Sequence, residues 1–137
     1  MKTSMVNLIG TGSRILFVLC IMIAMSCGFL GDPAAKTAQE FVQKYSQAYK
    51  DESVGNIAKM TVFGKGQTED AFKDDVKNDI KSRGFGYVAW TNTRYVSEED
   101  HDKYIRVNIE IKGARSSVVL LKQEGLLKLV LNPSDYQ

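Results

Sequence analysis

Residues 104–112 read YIRVNIEIK, and isoleucine or valine occupies every second position. A period of two is typical of a β-strand that buries one face and exposes the other to water. The β-branched residues also favour a strand over a helix. This segment therefore predicts a strand whose apolar face lies against the hydrophobic core.

Three further stretches are rich in β-branched, aromatic and leucine side chains: residues 87–96, 116–122 and 126–132. Turn-like segments separate successive stretches, at residues 97–102, 113–114 and 123–125. Short turns between successive strands favour an antiparallel meander. The side chains expected to point into the core are Ile105, Val107, Ile109, Ile111, Leu127, Leu129 and Leu131.

The chain before this region has helical periodicity. Asp32-Pro33 places a capping side chain before a proline, which predicts the start of a helix, and apolar residues then recur at three- and four-residue steps as far as Tyr49. Residues 54–62 predict a short second helix. A third helix is predicted between a capping Thr68 and Gly84. Its buried stripe is expected to comprise Ala71, Phe72, Val76 and Ile80.

Helices followed by strands predict an α+β fold. We expect the N-terminal helices to pack on a curved antiparallel sheet of about four strands. A chain of 137 residues has room for one such domain, which we assign to residues 33–137.

The first 26 residues have the layout of a secretory signal peptide. Their only charged residues are Lys2 and Arg14, and residues 15–25 form an uninterrupted apolar run. This pattern predicts export from the cytoplasm. The alternative is an uncleaved single-pass anchor over residues 15–30, which is short against the roughly 20 residues that span a bilayer.

Residues 24–27 read AMSC and resemble the lipobox of bacterial lipoproteins, in which small residues precede a cysteine that is acylated and becomes the new N-terminus. The resemblance implies a signal peptide of the lipoprotein type at residues 1–26, lipidation of Cys27, and a short lipid-anchored tether at residues 27–32. The domain would then stand outside the cytoplasm, attached to a membrane of the cell envelope by two acyl chains. The alternative is ordinary signal-peptidase cleavage at the same bond, with Cys27 incidental.

Charge and composition argue against several kinds of partner. The chain has 18 basic and 16 acidic residues, and removal of Lys2 and Arg14 with the signal peptide leaves no net charge. Nucleic-acid binding requires a clustered basic surface, so we expect no nucleic-acid partner. Both cysteines lie within the first 27 residues and the chain has one histidine. We therefore expect no metal site and no cofactor.

Three segments occur in a characteristic order: the helical stretch AQEFVQKYSQAY at residues 38–49, the strand at residues 104–111 and the closing run VVLLKQEGLLKLV at residues 118–130. This order resembles the nuclear transport factor 2-like superfamily, and in particular its small bacterial lipoproteins of unknown function. The resemblance implies a cone-like, cystatin-like domain with a cavity between the long first helix and the concave sheet. Such a cavity binds a ligand or a protein in some relatives, holds proton-transferring residues in others, and elsewhere is filled as core.

Five aromatic residues are candidates for lining such a cavity, because rings with polar tips suit small-molecule pockets. The alternative is that they form ordinary core and rim. They are Tyr45, Tyr49, Tyr87, Trp90 and Tyr95. The single histidine, His101, lies among acidic residues in a predicted turn, and we expect it to be solvated. Arg106 is on the polar side of its strand, so we expect it at the surface.

These features predict a non-enzymatic, lipid-anchored envelope domain that binds an unknown protein partner or a small apolar ligand. No catalytic residue is identified, because the predicted inward positions of the sheet are aliphatic and general acid–base catalysis needs a desolvated titratable group. One alternative is a single-pass membrane-anchored scaffold component of an envelope or secretion complex. The other is a small lyase or isomerase.

Overall fold

The computed structural model describes residues 32–136. Its helices are α1 (Ala38–Lys50), α2 (Val54–Lys59), α3 (Glu69–Ser82) and α4 (Phe85–Thr91). Its strands are β1 (Thr61–Val62), β2 (Thr93–Asp100), β3 (Tyr104–Ile111), β4 (Ala114–Gln123) and β5 (Leu126–Val130), followed by a 3₁₀ turn at Pro133–Tyr136. The fold is α+β, and residues Pro33–Gln137 form one compact unit. The predicted signal peptide and Cys27 lie outside the described residues.

Helix α1 begins five residues later than the sequence predicts. Its N-cap is Thr37, which has extended backbone and accepts a hydrogen bond from the Glu40 N–H at 3.2 Å. The Glu40 carboxylate in turn accepts from the Lys36 N–H at 3.0 Å. These bonds satisfy backbone donors that the first turn leaves unpaired, so Thr37 replaces Asp32 as the capping residue.

Helix α3 begins as predicted, with the Thr68 hydroxyl accepting from the Ala71 N–H at 3.2 Å. It ends at Ser82, two residues before the predicted Gly84, because Arg83 is the C-cap and adopts the left-handed conformation with φ of 52°. Phe72, Val76 and Ile80 are buried as predicted. Ala71 is exposed, so its assignment to the buried stripe is wrong.

The sheet has five strands in the order β1-β5-β4-β3-β2. Strands β2 to β5 form the predicted antiparallel meander, with two-residue turns at 112–113 and 124–125. Strand β1 is the addition: its two residues pair in parallel with Leu129 and Val130 of β5, so the sheet is mixed. Residues 54–62 were predicted as one helix, and in the structure α2 ends at Lys59 and Val62 belongs to this strand.

The strand predicted over residues 87–96 is wrong in its first half, which forms the short helix α4. Strand β2 starts only at Thr93 and continues to Asp100, through most of the segment predicted as a turn. Pairing with β3 holds this acidic stretch extended, and Asp100 forms an ion pair with Lys122 of β4. Tertiary contacts therefore override the local turn propensity of residues 97–100.

The core lies between the helices and the predicted apolar face of β3. Ile105, Val107 and Ile109 are buried and Ile111 is half-buried. Leu127 and Leu129 of β5 are buried beside them. Leu131 is 42 % exposed, because β5 ends at Val130 and the chain leaves the sheet there. The inward assignment of Leu131 is therefore wrong.

Candidate binding site

Helix α1 presents a column of aromatic rings to the core. Phe41, Tyr45 and Tyr49 recur every four residues and therefore share one face of the helix. The centroids of the Phe41 and Tyr45 rings are 5.3 Å apart, and those of Tyr45 and Tyr49 are 5.7 Å apart. The indole of Trp90, from α4, meets the Tyr45 ring edge-on at 4.4 Å. Four of the core aromatic side chains thus form one continuous cluster.

The hydroxyl of Tyr45 is buried and has one defined role. It lies 2.8 Å from the Thr61 Oγ1, and that hydroxyl lies 2.7 Å from the Ile57 carbonyl oxygen. A carbonyl oxygen can only accept a hydrogen bond, so the Thr61 hydroxyl donates to the Ile57 carbonyl. The Tyr45 hydroxyl therefore donates to the Thr61 hydroxyl. Burial raises the pKa of Tyr45 far above its ordinary value. The bond links α1 to β1, and burial keeps this tyrosine neutral.

Asp79 connects α3, α1 and α4. Its carboxylate oxygens accept from the Gly86 N–H at 3.2 Å and from the Tyr87 N–H at 2.6 Å, at the start of α4. A Cβ atom at Gly84 would stand 2.3 Å from one of these oxygens, and one at Gly86 would stand 2.8 Å from the other. Both positions therefore need glycine while the carboxylate is in place. This cap favours a helix over a strand at residues 85–91.

The same carboxylate acts on Tyr49. Burial, and secondarily the negative charge of Asp79, raise the pKa of Tyr49 to about 12. The neutral phenol is therefore the stable form of Tyr49 in the folded domain at every pH near neutrality.

Raising the pH above about 10 is expected to destabilise the domain. A tyrosine of an unfolded chain ionises near 10, whereas Tyr49 in the folded domain does so near 12. The stabilisation from its neutral form is therefore complete below pH 10 and is lost as the pH rises towards 12. Tyr49 contributes a slope of at most about 1.4 kcal/mol per pH unit, and the buried Tyr45 adds its own contribution because its pKa is raised as well. Urea unfolding across this range measures it, and Tyr49→Phe should show a smaller slope; identical slopes would contradict the prediction.

A groove of about 760 Å³ opens where β5 leaves the sheet. Strand β5 pairs with β4 only over residues 120–123, and the chain then diverges at Leu131. The groove reaches both faces of the sheet around the edge of β4, since neighbouring Val118 and Val119 both line it and point to opposite faces. Its lining comprises Trp90, Tyr104, Arg106, Ser117, Val118, Val119, Leu129, Val130, Leu131 and Pro133.

Arg106 supplies the charge of this groove. Its side chain is half-buried, and its guanidinium forms no ion pair or side-chain hydrogen bond with any residue in the described range. Glu99 stands opposite Arg106 in the β2–β3 register, but no ion pair joins them. By contrast, Arg94 and Glu110 on the same face are joined at 2.7 Å. A half-buried cation without a counter-ion favours an anionic ligand group.

Of the five aromatic residues predicted from sequence, Trp90 lines this groove. Tyr45 and Tyr49 are buried in the core cluster, and Tyr87 and Tyr95 are half-buried against it. The guanidinium of Arg83 covers the Tyr87 ring at 4.3 Å, and the Tyr95 hydroxyl donates to Glu98 at 3.0 Å. The four tyrosines therefore contact the core and its rim, and the groove lies beyond them.

Sequence reasoning missed most of the groove. It placed Arg106 at the surface because strand alternation puts it on the polar side, and that side is only partly solvated here. One signal was present: residues 118–121 read VVLL, which places apolar side chains on both faces of β4. Two-sided apolar character indicates that the outer face of β4 is covered, and Val119 is indeed buried.

His101 follows β2 in an exposed turn, and its ring stacks on Tyr104 with a centroid distance of 4.5 Å. Within residues 32–136 no group of three histidine, cysteine or acidic side chains is arranged to hold a metal ion. The helices of this same range include none with the length and hydrophobicity of a membrane span.

Comparisons with protein-family models, with curated proteins and with solved structures found no match to this chain.

Proposed function

We propose that this chain is a lipid-anchored protein of the bacterial cell envelope whose domain binds a protein partner or a small ligand without catalysing a reaction. The groove beside β4 carries the proposal, because it combines a volume of about 760 Å³, apolar side chains such as Val119 and Leu131 set among polar groups, and the Arg106 guanidinium, which forms no ion pair within the described residues. Binding sites are typically concave and combine apolar side chains with polar groups that orient the ligand. The apolar run of residues 15–25, which stops two residues before Cys27, supports the lipid anchor.

The roles of the buried polar groups support binding over catalysis. The Tyr45 hydroxyl is committed to Thr61, and the Asp79 carboxylate accepts two backbone hydrogen bonds at the start of α4. A general acid or base must be within reach of a substrate proton. These groups hold the fold together, so we assign neither of them to catalysis.

We further propose that the domain is a cone-like member of the nuclear transport factor 2-like superfamily. The support is the element order, in which α1 is followed by shorter helices and then by an antiparallel meander. In this arrangement Phe41, Val42 and Tyr45 of α1 are fully buried against the core. We therefore place the ligand in the groove at the edge of β4 and not beneath α1.

Ligand binding is tested with anilinonaphthalene sulfonate, a fluorescent probe that combines an apolar body with an anionic group. Trp90 is the only tryptophan of the chain and lines the groove, so energy transfer from it to the probe reports occupancy. Leu131→Asn should weaken binding about tenfold. Val96→Asn is the matched control, because Val96 is also 42 % exposed and lies outside the groove lining. Equal loss of binding in both variants would remove the groove as the site.

Cys27→Ser is expected to release the domain from the membrane without unfolding it, because the acylated residue lies outside the folded unit that starts at Pro33. Two acyl chains provide stable anchoring and their loss removes it. Fractionation of cells, fatty-acid labelling and intact mass measure the outcome. A wild-type mass that retains residues 1–26 would instead support the uncleaved anchor, and labelling that persists in the variant would contradict lipidation at Cys27.

A further inference from the structure

One edge of strand β4 is only partly paired with a neighbouring strand. Its ten residues pair with β3 along residues 114–121, but β5 pairs only with residues 120–123. Within the described range, residues 114–118 of β4 therefore have a strand neighbour on one side only. This open edge borders the groove, since Ser117, Val118 and Val119 line it.

The two hairpin turns fix which backbone groups face the open edge. In a two-residue hairpin the residues flanking the turn form a hydrogen-bonded pair, and the bonding direction then alternates along the strand. Ala114 flanks the turn to β3, so Ser116 and Val118 also bond towards β3. Gln123 flanks the turn to β5 and bonds towards β5, so every second residue before it along β4 faces the β5 side. This agrees with the alternation counted from Ala114. Arg115 and Ser117 therefore direct their N–H and C=O groups towards the open edge.

The surroundings of this edge are cationic. Arg115 and Lys112 are exposed, and Arg106 lies in the groove. None of these three side chains forms an ion pair within the described residues, although Glu110 stands opposite Arg115 and Glu99 stands opposite Arg106 in the strand register. Glu110 pairs instead with Arg94. Strand β2, which is one of the two edge strands of the sheet, carries a bulge at Val96 and three consecutive acidic residues, features that discourage strand pairing. The β4 edge has no bulge.

We propose that the groove accepts an extended acidic peptide segment of another protein, which adds to the sheet as a strand along residues 114–118 of β4. The proposal rests on the binding function proposed above and names the partner of that site. Main-chain hydrogen bonds to Arg115 and Ser117 would give affinity, as in other cases of strand addition. Acidic side chains on the outer face would meet Arg106 and Arg115, and apolar side chains on the other face would meet Val118 and Trp90.

The test uses a blocked hexapeptide that alternates glutamate and valine, titrated into the full domain with Trp90 fluorescence as the readout. We expect saturable binding that weakens as salt is raised, because the contacts include exposed charges. A hexapeptide with lysine in place of glutamate should bind at least about tenfold more weakly. Equal binding of the two peptides would overturn the charge assignment and with it the proposed partner.

Ser117→Pro and Ser116→Pro form a matched pair that tests the edge itself. Proline removes the N–H group that faces the open edge at residue 117, so peptide binding should fall about tenfold or more while thermal stability changes little. At residue 116 proline removes a bond to β3, so the main effect there should be on stability. Undiminished peptide binding by a folded Ser117→Pro variant would overturn the proposal.

Arg106→Gln should reduce the difference in binding affinity between the acidic and basic peptides. Lys81→Gln, which removes one positive charge from α3, should leave that difference in affinity unchanged. If the unliganded domain self-associates and Ser117→Pro makes it monomeric, a second copy occupies the edge and the proposal of a peptide partner fails. If the sulfonate probe binds but neither peptide does, strand addition fails and the proposed binding function stands. If the sulfonate probe does not bind either, both strand addition and the proposed binding function fail.

Discussion

Replacement of Ile109 by aspartate is expected to leave the domain unfolded at room temperature. Ile109 is 2 % exposed and lies at the centre of the inward face of β3, opposite Tyr95 and Ser116. The variant loses a buried aliphatic side chain, at about 2–5 kcal/mol, and must bury or protonate an unpaired carboxylate, at several kcal/mol more. A typical domain has only about 5–15 kcal/mol of stability to lose.

Asn108→Asp is the matched control, one residue away on the opposite face. The Asn108 amide donates to the Ser97 hydroxyl at 3.0 Å near the surface, and that hydroxyl can instead donate to a carboxylate. The expected cost is under about 1 kcal/mol. Circular dichroism and urea unfolding of both variants measure the difference, and similar losses of stability would mean that the facing of β3 is misassigned.

Asp79→Ala is expected to lower the free energy of unfolding by about 3 kcal/mol. The variant leaves the N–H groups of Gly86 and Tyr87 without their acceptor in a part-buried position, and removes the anion from the start of α4. It also removes the charge of Asp79, which after burial is the second cause of the raised pKa of Tyr49. Spectrophotometric titration should therefore show the phenol of Tyr49 ionising at a lower pH than in the wild type.

Asp75→Ala on the exposed face of α3 is the control, since its carboxylate makes only one exposed hydrogen bond, with the Gln67 side chain at 3.3 Å. Gly84→Ala adds a second test. Its new Cβ atom would clash with the Asp79 carboxylate at 2.3 Å, so it should destabilise the wild type more than it destabilises Asp79→Ala. Additive effects in this double-mutant cycle would show that the glycine and the carboxylate are not coupled.

The sequence predicts the elements whose apolar pattern matches their burial. The strict alternation of residues 104–111 gives both the strand and its inward face, and Thr68 marks the start of α3 because its hydroxyl caps that helix locally. Helix α4 is different. Residues 85–91 contain valine and aromatic side chains that suit a strand. The carboxylate that caps their helix is that of Asp79, which belongs to the preceding helix and reaches them only because α3 ends at Ser82 and the chain turns at Arg83.

The groove was beyond prediction for a similar reason. It exists because β5 pairs with the second half of β4 and then departs, and the length of a strand pairing is set by where the following chain is held. The aromatic residues could be recognised as a set from the sequence. Their spacing does not distinguish Tyr45, whose hydroxyl is hydrogen-bonded to Thr61, from Trp90, which lines the groove.

The parallel pairing of β1 with β5 has a consequence for the order in which the chain can acquire its structure. The Leu129 N–H donates to the Met60 carbonyl at 2.8 Å, and the Leu127 N–H donates to the Ala35 carbonyl at 2.9 Å. Segments some seventy to ninety residues apart in the sequence are thus joined by backbone hydrogen bonds. Long-range pairings of this kind form late and slowly during folding. The N-terminal helices cannot finish packing until the last strand is available. For the export proposed above this delay is an advantage, because a chain that is not yet fully packed can still cross a membrane.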